Sequence, residues 1–123
     1  IFEWAVREKA KLKQVTFMRE NESFQICKDT AGGGIETAMH GHAGPNGARG
    51  SPRGFRSMDV KANTGHTHAA GIVDGVYTAG VTGKLDMEYN KGPSAWSHSH
   101  IITYPNGKRT IVTMAGEKWR ATA

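Results

Sequence analysis

Apolar positions fall at two different spacings along this chain, and the change between them predicts the elements. Phe2, Val6 and Ala10 recur at four-residue steps among Glu and Lys, the spacing of an amphipathic helix over Ile1 to Val15. Val15-Thr16-Phe17-Met18 and Phe24-Gln25-Ile26-Cys27 flank the polar run Arg19 to Ser23, which predicts two strands around a turn. Gly32-Gly33-Gly34 then interrupts the chain before Ile35 to Met39, a strand-like run that ends directly on His40.

Residues 41 to 65 are rich in glycine, with Pro45, Pro52, Arg49, Arg53 and Arg56, and show no apolar period. They are expected to form a long loop, and long loops in compact domains tend to carry function. Beyond it, Ile72-Val73 joins Val76 to Val81 through Asp74-Gly75. His100 to Tyr104 joins Thr110 to Met114 through Pro105-Asn106-Gly107. The predicted class is α+β: mainly antiparallel β with an N-terminal helix.

Composition narrows the function. The 123 residues, 37% hydrophobic, suit one domain or part of one. Sixteen Lys and Arg against eleven Asp and Glu give a net charge of +5, which favours anionic partners such as phosphate esters or nucleic acid. The single cysteine, Cys27, cannot form an internal disulfide. It is expected to be a buried thiol in a reducing compartment such as the cytoplasm. No run approaches the roughly 18 apolar residues of a membrane span, so no membrane partner is expected. Walker loops, dinucleotide fingerprints and serine nucleophile elbows are absent from the sequence, which argues against nucleotide-cofactor chemistry.

All sixteen glycines and all six histidines lie beyond residue 31, and the histidines fall in three His-x-His pairs, at 40/42, 66/68 and 98/100. On an extended strand the two rings of such a pair point to one side, and in a tight turn they can serve two adjacent ions. Imidazole suits several transition metals, so ligand type alone does not choose among them. Gly65-His66-Thr67-His68 follows a glycine-rich stretch and is the strongest metal candidate. Ser97-His98-Ser99-His100 also reads as the start of a half-exposed strand.

His40-Gly41-His42 followed by Gly65-His66-Thr67-His68 resembles the last two metal-binding motifs of the calcineurin-like metallophosphoesterases. Gly44-Pro45-Asn46-Gly47-Ala48-Arg49-Gly50-Ser51, Lys84-Leu85-Asp86-Met87 and Gly92-Pro93-Ser94-Ala95-Trp96-Ser97-His98 resemble the phage-borne branch of that superfamily, over roughly residues 24 to 120. The resemblance implies a two-sheet β-sandwich fold and two divalent ions (Mn, Zn, Fe or Ni) in the complete site. It makes His40 and His66 ligands of one ion and His68 a ligand of the other. His42 and Arg49 are implied in catalysis, and Asn46, Arg53 and Arg56 in holding a phosphate-ester substrate. For a phage protein the compartment would be the host cytoplasm.

The same family also uses Asp-x-His, Gly-Asp-x-x-Asp and Gly-Asn-His-Asp/Glu motifs, which lie N-terminal to the two found here and are absent from this sequence. Residues 1–123 are therefore expected to be a single domain or the C-terminal half of a longer phosphoesterase domain, and the Ile1 start fits a half. The acidic residues near the histidines in sequence, Asp59, Asp74, Asp86 and Glu88, stand in none of those contexts. A half-domain leaves a sheet face or edge uncovered, so a homo-oligomer or a missing N-terminal half is the expected partner. The alternative function is a non-catalytic module that binds nucleic acid through the basic stretch 49 to 61, or that binds metal through its histidine pairs. Tyr89, Trp96, Tyr104 and Trp119 lie among basic residues and can stack on bases, but packing of the β core is the favoured expectation for them.

Overall fold

The computed structural model describes residues 1–20 and 22–123. Among them the chain forms helix α1 (Phe2–Trp4), continued as a π-helical turn over Ala5–Lys9, and a second short helix, α2 (Pro52–Arg56). Eight strands follow the order β1 (Gln25–Ile26), β2 (Ile35–Glu36), β3 (Lys61–Thr64), β4 (Gly71–Val73), β5 (Val76–Thr78), β6 (His98–Thr103), β7 (Arg109–Ala115) and β8 (Lys118–Thr122). One sheet has the order β1-β2-β3-β5-β4 and the other β6-β7-β8. The protein is mostly β with a short N-terminal helix.

The N-terminal helix ends at Lys9 rather than Val15, because its apolar side has little to pack on. Phe2 is 75% exposed and meets only the edge of Phe17, with ring centroids 6.0 Å apart. Residues 15 to 18 are not a strand, so the hairpin expected around Arg19 to Ser23 does not form; Asn21 of that turn lies outside the described residues. β1 instead pairs antiparallel with β2, Gln25 opposite Glu36 and Ile26 opposite Ile35. The buried carboxylate of Glu36 stabilises this choice. It accepts bonds from the Phe24 N–H (3.0 Å), the Ala38 N–H (2.8 Å) and the Ser23 hydroxyl. Burial alone would push the Glu36 carboxyl up, but these bonds, with one from Thr37, outweigh it and hold it below its ordinary value of 4.5.

The expected loop over 41 to 65 is a correction. It contains a 3-10 turn at Pro45–Gly47, α2 and β3. Ser51 caps α2 by accepting the Gly54 N–H at 3.0 Å, Pro52 takes the first helical turn, and Phe55 is driven into the core. β3 pairs parallel with both β2 and β5, so the first sheet has a parallel centre rather than the antiparallel pattern expected. The two turn signals were legible: β4 and β5 meet through Asp74 and Gly75 at φ 42° and 84°, and β6 and β7 through Asn106 and Gly107.

The apolar core is small, comprising Ile35, Phe55, Ala62, Val76 and Ile111. Polar groups complete it. The Thr64 and Thr78 hydroxyls meet at 3.0 Å across β3 and β5, and Ser99 bonds Thr113 at 2.8 Å. Arg109, 7% exposed, reaches from β7 into the first sheet. It donates to the Ala62 carbonyl (2.8 Å), the Asn63 side-chain oxygen (3.0 Å) and the Gly75 carbonyl (2.7 Å), and its guanidinium lies 4.0 Å from the centre of the Tyr77 ring.

The aromatic residues expected in the core are outside it: Tyr89, Tyr104 and Trp119 are exposed, and Trp96 is half-buried. Cys27 is likewise half-buried rather than buried, its thiol 3.5 Å from the Tyr104 carbonyl. No helix is long and apolar enough to cross a membrane among the described residues.

Arg109→Met should lower stability by about 2–4 kcal/mol, read from the urea midpoint, because it removes three buried or half-buried hydrogen bonds, to the Ala62 and Gly75 carbonyls and the Asn63 side chain. Arg109→Lys should recover less than half of that loss, since one ammonium cannot reproduce the planar fork. An unchanged midpoint in both variants would show that the guanidinium does not join the sheets.

Candidate functional site

The parallel pairing of β2, β3 and β5 sends the chain out of all three strands at one edge of the sheet, where α/β sheets gather ligand-binding loops. The exit from β2 carries His40 and His42, and the exit from β3 carries His66 and His68. Two backbone bonds fix these segments against their surroundings: the Gly65 N–H donates to the His40 carbonyl (2.9 Å), and the Gly50 N–H to the His42 carbonyl (2.8 Å). Glycine is required between the first two histidines. Gly41 has φ +106°, and a Cβ there would lie 3.2 Å from the Thr64 Cβ. Gly50 packs so tightly on Gly41 that a Cβ would fall 1.8 Å from its carbonyl oxygen.

His66 and His68 both adopt positive φ, 22° and 59°. Residues other than glycine rarely take this conformation, and where it occurs it concentrates at functional positions. Its effect is to turn the His66 ring toward the first pair. His66 Nδ1 lies 3.3 Å from His40 Nε2, and the ring centroids are separated by 5.2 Å for His40 and His66, 5.8 Å for His40 and His42, and 6.0 Å for His42 and His66. His42 Nε2 also contacts Glu20 Oε1 at 2.8 Å. An open cleft of about 440 Å³ lies here, lined by Glu20, Met39, His40, Gly41, His42 and Met58 among others.

Two imidazole nitrogens bound to one tetrahedral ion at about 2.0–2.1 Å would stand about 3.3–3.4 Å apart, so the His40–His66 separation suits a shared cation. Among the described residues, however, no three His, Cys, Asp or Glu side chains close on a single point. The donor set therefore fits an ion at two nitrogens, with His42 and Glu20 close by, and does not enclose one.

The other candidates are spread more widely. His68 turns to the edge of Trp96, with centroids 4.3 Å apart, rather than to the other rings. Arg49 is exposed and close enough to His66 to act on its charge. Asn46 is an exposed turn residue at φ 57°. Arg53 is exposed on α2, while Arg56 bonds Asp74 at 3.1 Å and lines a separate cleft with Asp59 and Lys61. His98 lies on β6, where Nε2 meets the Gly83 carbonyl at 2.8 Å, and His100 is exposed on the same strand. Glu20 was invisible to sequence reasoning, because it stands in a charged run that reads as a solvated turn.

Desolvation lowers the His66 pKa below 6.5, and the neighbouring charges of His40, His42, Arg49 and His68 push it the same way. Its ring thus stays neutral, and able to ligate, further into acid than a free imidazole.

Comparison with known proteins adds one relative. The chain is 47% identical over 122 residues to Protein A1 of Escherichia phage T5, a match that covers 98% of this chain and 21% of that protein. It therefore spans about a fifth of that relative's length. No family model matches the chain, and no solved structure does.

An NMR titration of the His66 ring should give a midpoint below 6.5, moving up toward that value in His40→Ala and Arg49→Ala. A wild-type midpoint at or above 6.5 would contradict the clustering of positive groups around this ring.

Proposed function

We propose that this chain is the metal-binding, C-terminal part of a calcineurin-like phosphoesterase whose completed site hydrolyses phosphodiesters or phosphomonoesters, with nucleic acid or nucleotides as the substrate class. The observation that carries this reading is the meeting of the His-Gly-His and Gly-His-Thr-His motifs at one sheet edge, with His40 Nε2 and His66 Nδ1 3.3 Å apart. The two-sheet architecture supports the sandwich half that the sequence motifs imply.

On this reading His40 and His66 would hold one divalent ion, and the resemblance assigns a second to His68, whose ring here faces Trp96. Divalent ions held there would supply Lewis-acid polarisation of the phosphoryl group and activation of water near neutral pH. The remaining steps fall to the chain's own groups. Arg49, beside His66, holds the non-bridging oxygens of the ester through its fork of donors. His42 carries a proton toward the leaving oxygen, and the Glu20 carboxylate, 2.8 Å from Nε2, orients its ring. Arg56 is set aside from this role by its bond to Asp74.

The bridging carboxylate of the family is not among these residues, so the complete site draws it from a missing half or from a second copy. The outer face of the second sheet supports such an association. Register places His100, Ile102, Met114 and Trp119 on this face, and all four are exposed, with Trp119 66% open. β8 is an exposed edge strand that carries Lys118 and Arg120, the charges that protect an edge from unselective pairing.

Hydrolysis of bis(p-nitrophenyl) phosphate in Mn²⁺ tests the reading directly. Turnover should be abolished by EDTA and reduced at least 100-fold in His66→Ala, in line with the loss of a metal ligand. Turnover that survives either treatment would contradict it.

A further inference from the structure

The aromatic residues left outside the core form a second feature next to the histidines, and their chemistry differs from that of a phosphate site. Tyr89 and Trp96 lie in the segment between β5 and β6. This segment is tied down at its end: the Ser97 N–H donates to the His68 carbonyl (3.3 Å) and the Val81 N–H to the Ser97 carbonyl (2.8 Å). Trp96 is thereby held against the His68 ring at 4.3 Å, and Tyr89 packs edge-on against Trp96 at 5.7 Å.

Tyr89 sits in a turn built to hold its shape. The Asn90 side chain accepts the Met87 N–H (2.7 Å) and donates to the Leu85 carbonyl (2.9 Å), and the Asn90 N–H donates to the Met87 carbonyl (2.9 Å). Despite this order the Tyr89 side chain makes no contact that buries it, and the residue is 72% exposed. An aromatic ring in an ordered turn, with a second ring beside it and most of its surface open to water, has the arrangement of a base-stacking platform.

We propose that Tyr89, backed by Trp96, is a stacking platform for an unpaired nucleobase, so that the preferred ligand is single-stranded nucleic acid. This deepens the phosphoesterase reading and rests on it for the identity of the phosphate-facing side. A nucleotide joins an anionic phosphate to a flat π-face, and the structure sets the matching groups side by side: the histidines with Arg49 on one side of His68, the aromatic pair on the other. Stacking on Tyr89 needs a base with a free face, which a single strand offers and an intact duplex does not. The net charge of +5 supports the backbone contribution to such binding.

Fluorescence anisotropy with a fluorescein-labelled single-stranded oligonucleotide, measured in EDTA so that no hydrolysis occurs, tests the platform apart from catalysis. Wild-type protein should bind this strand at least about ten-fold more tightly than an abasic strand or a duplex of the same length. Tyr89→Ala should lose about ten-fold or more for the base-bearing strand alone, and Tyr89→Phe, which keeps the ring, should restore binding. Equal binding of the abasic strand or duplex, an unaffected Tyr89→Ala, or no binding by wild type would each overturn the platform. Because bis(p-nitrophenyl) phosphate carries no base, its hydrolysis decides the phosphoesterase reading independently of these outcomes.

Discussion

The buried Arg109 guanidinium is the centre of the polar join between the two sheets, which the Asn63–Thr103 side-chain bond and the bonds from the Gly80 and Val81 N–H groups to the Ser99 and Ser97 carbonyls extend. Among the described residues the buried hydrophobic side chains are few, two of them no larger than Val76 and Ala62, and the second sheet adds only Ile111 to them, so polar groups carry much of the join. Arg109 is suited to this because its flat head can satisfy several acceptors at once while its face lies on Tyr77. Burial pushes its pKa down and the Tyr77 ring opposes that shift, yet an arginine stays charged under any ordinary condition. Its charge is met by carbonyl oxygens and a ring face rather than by a carboxylate.

The consequences run outward from that join. Two of the acceptors belong to Ala62 and Asn63 of β3 and the third to Gly75, directly before β5. Fixing these strands fixes the register in which β2, β3 and β5 run parallel, and parallel strands deliver their exits to one edge. The histidine segments leave at that edge. Gly41 and Gly50 then allow the backbone to come close enough for the rings to meet, and the left-handed turns at His66 and His68 aim one ring at His40 and the other at Trp96. Fold, strain and side-chain placement act in series, and each step fails if the preceding one does.

Sequence patterns revealed the parts of this scheme that depend on local chemistry. Asp74, Gly75 and Gly107 take positive φ, and the Asp-Gly and Asn-Gly pairs they belong to announce their turns. The His-x-His pairs stood out because clustering of a rare residue type is visible without any fold. What depended on distant partners was not legible. β3 reads Lys-Ala-Asn-Thr and has no apolar alternation, since its inward positions hold Ala62 and Thr64, small residues set by close strand packing. The expected hairpin over 15 to 27 failed because Glu36, far along the chain, offers β1 a better set of bonds. Glu20 reached His42, and Tyr89 stayed open to solvent, for reasons found only in three dimensions.

The central claim is that the fold gathers His40 and His66 into one ligand pair and leaves His98 and His100 out of it. Long-range nitrogen–proton NMR of the six histidine rings during titration with Zn²⁺ measures this most directly. The account predicts that the ring nitrogens of His40 and His66 shift together at the first equivalent, while those of His98 and His100 stay in place. Shifts shared evenly among all six rings, or led by His98 and His100, would contradict it.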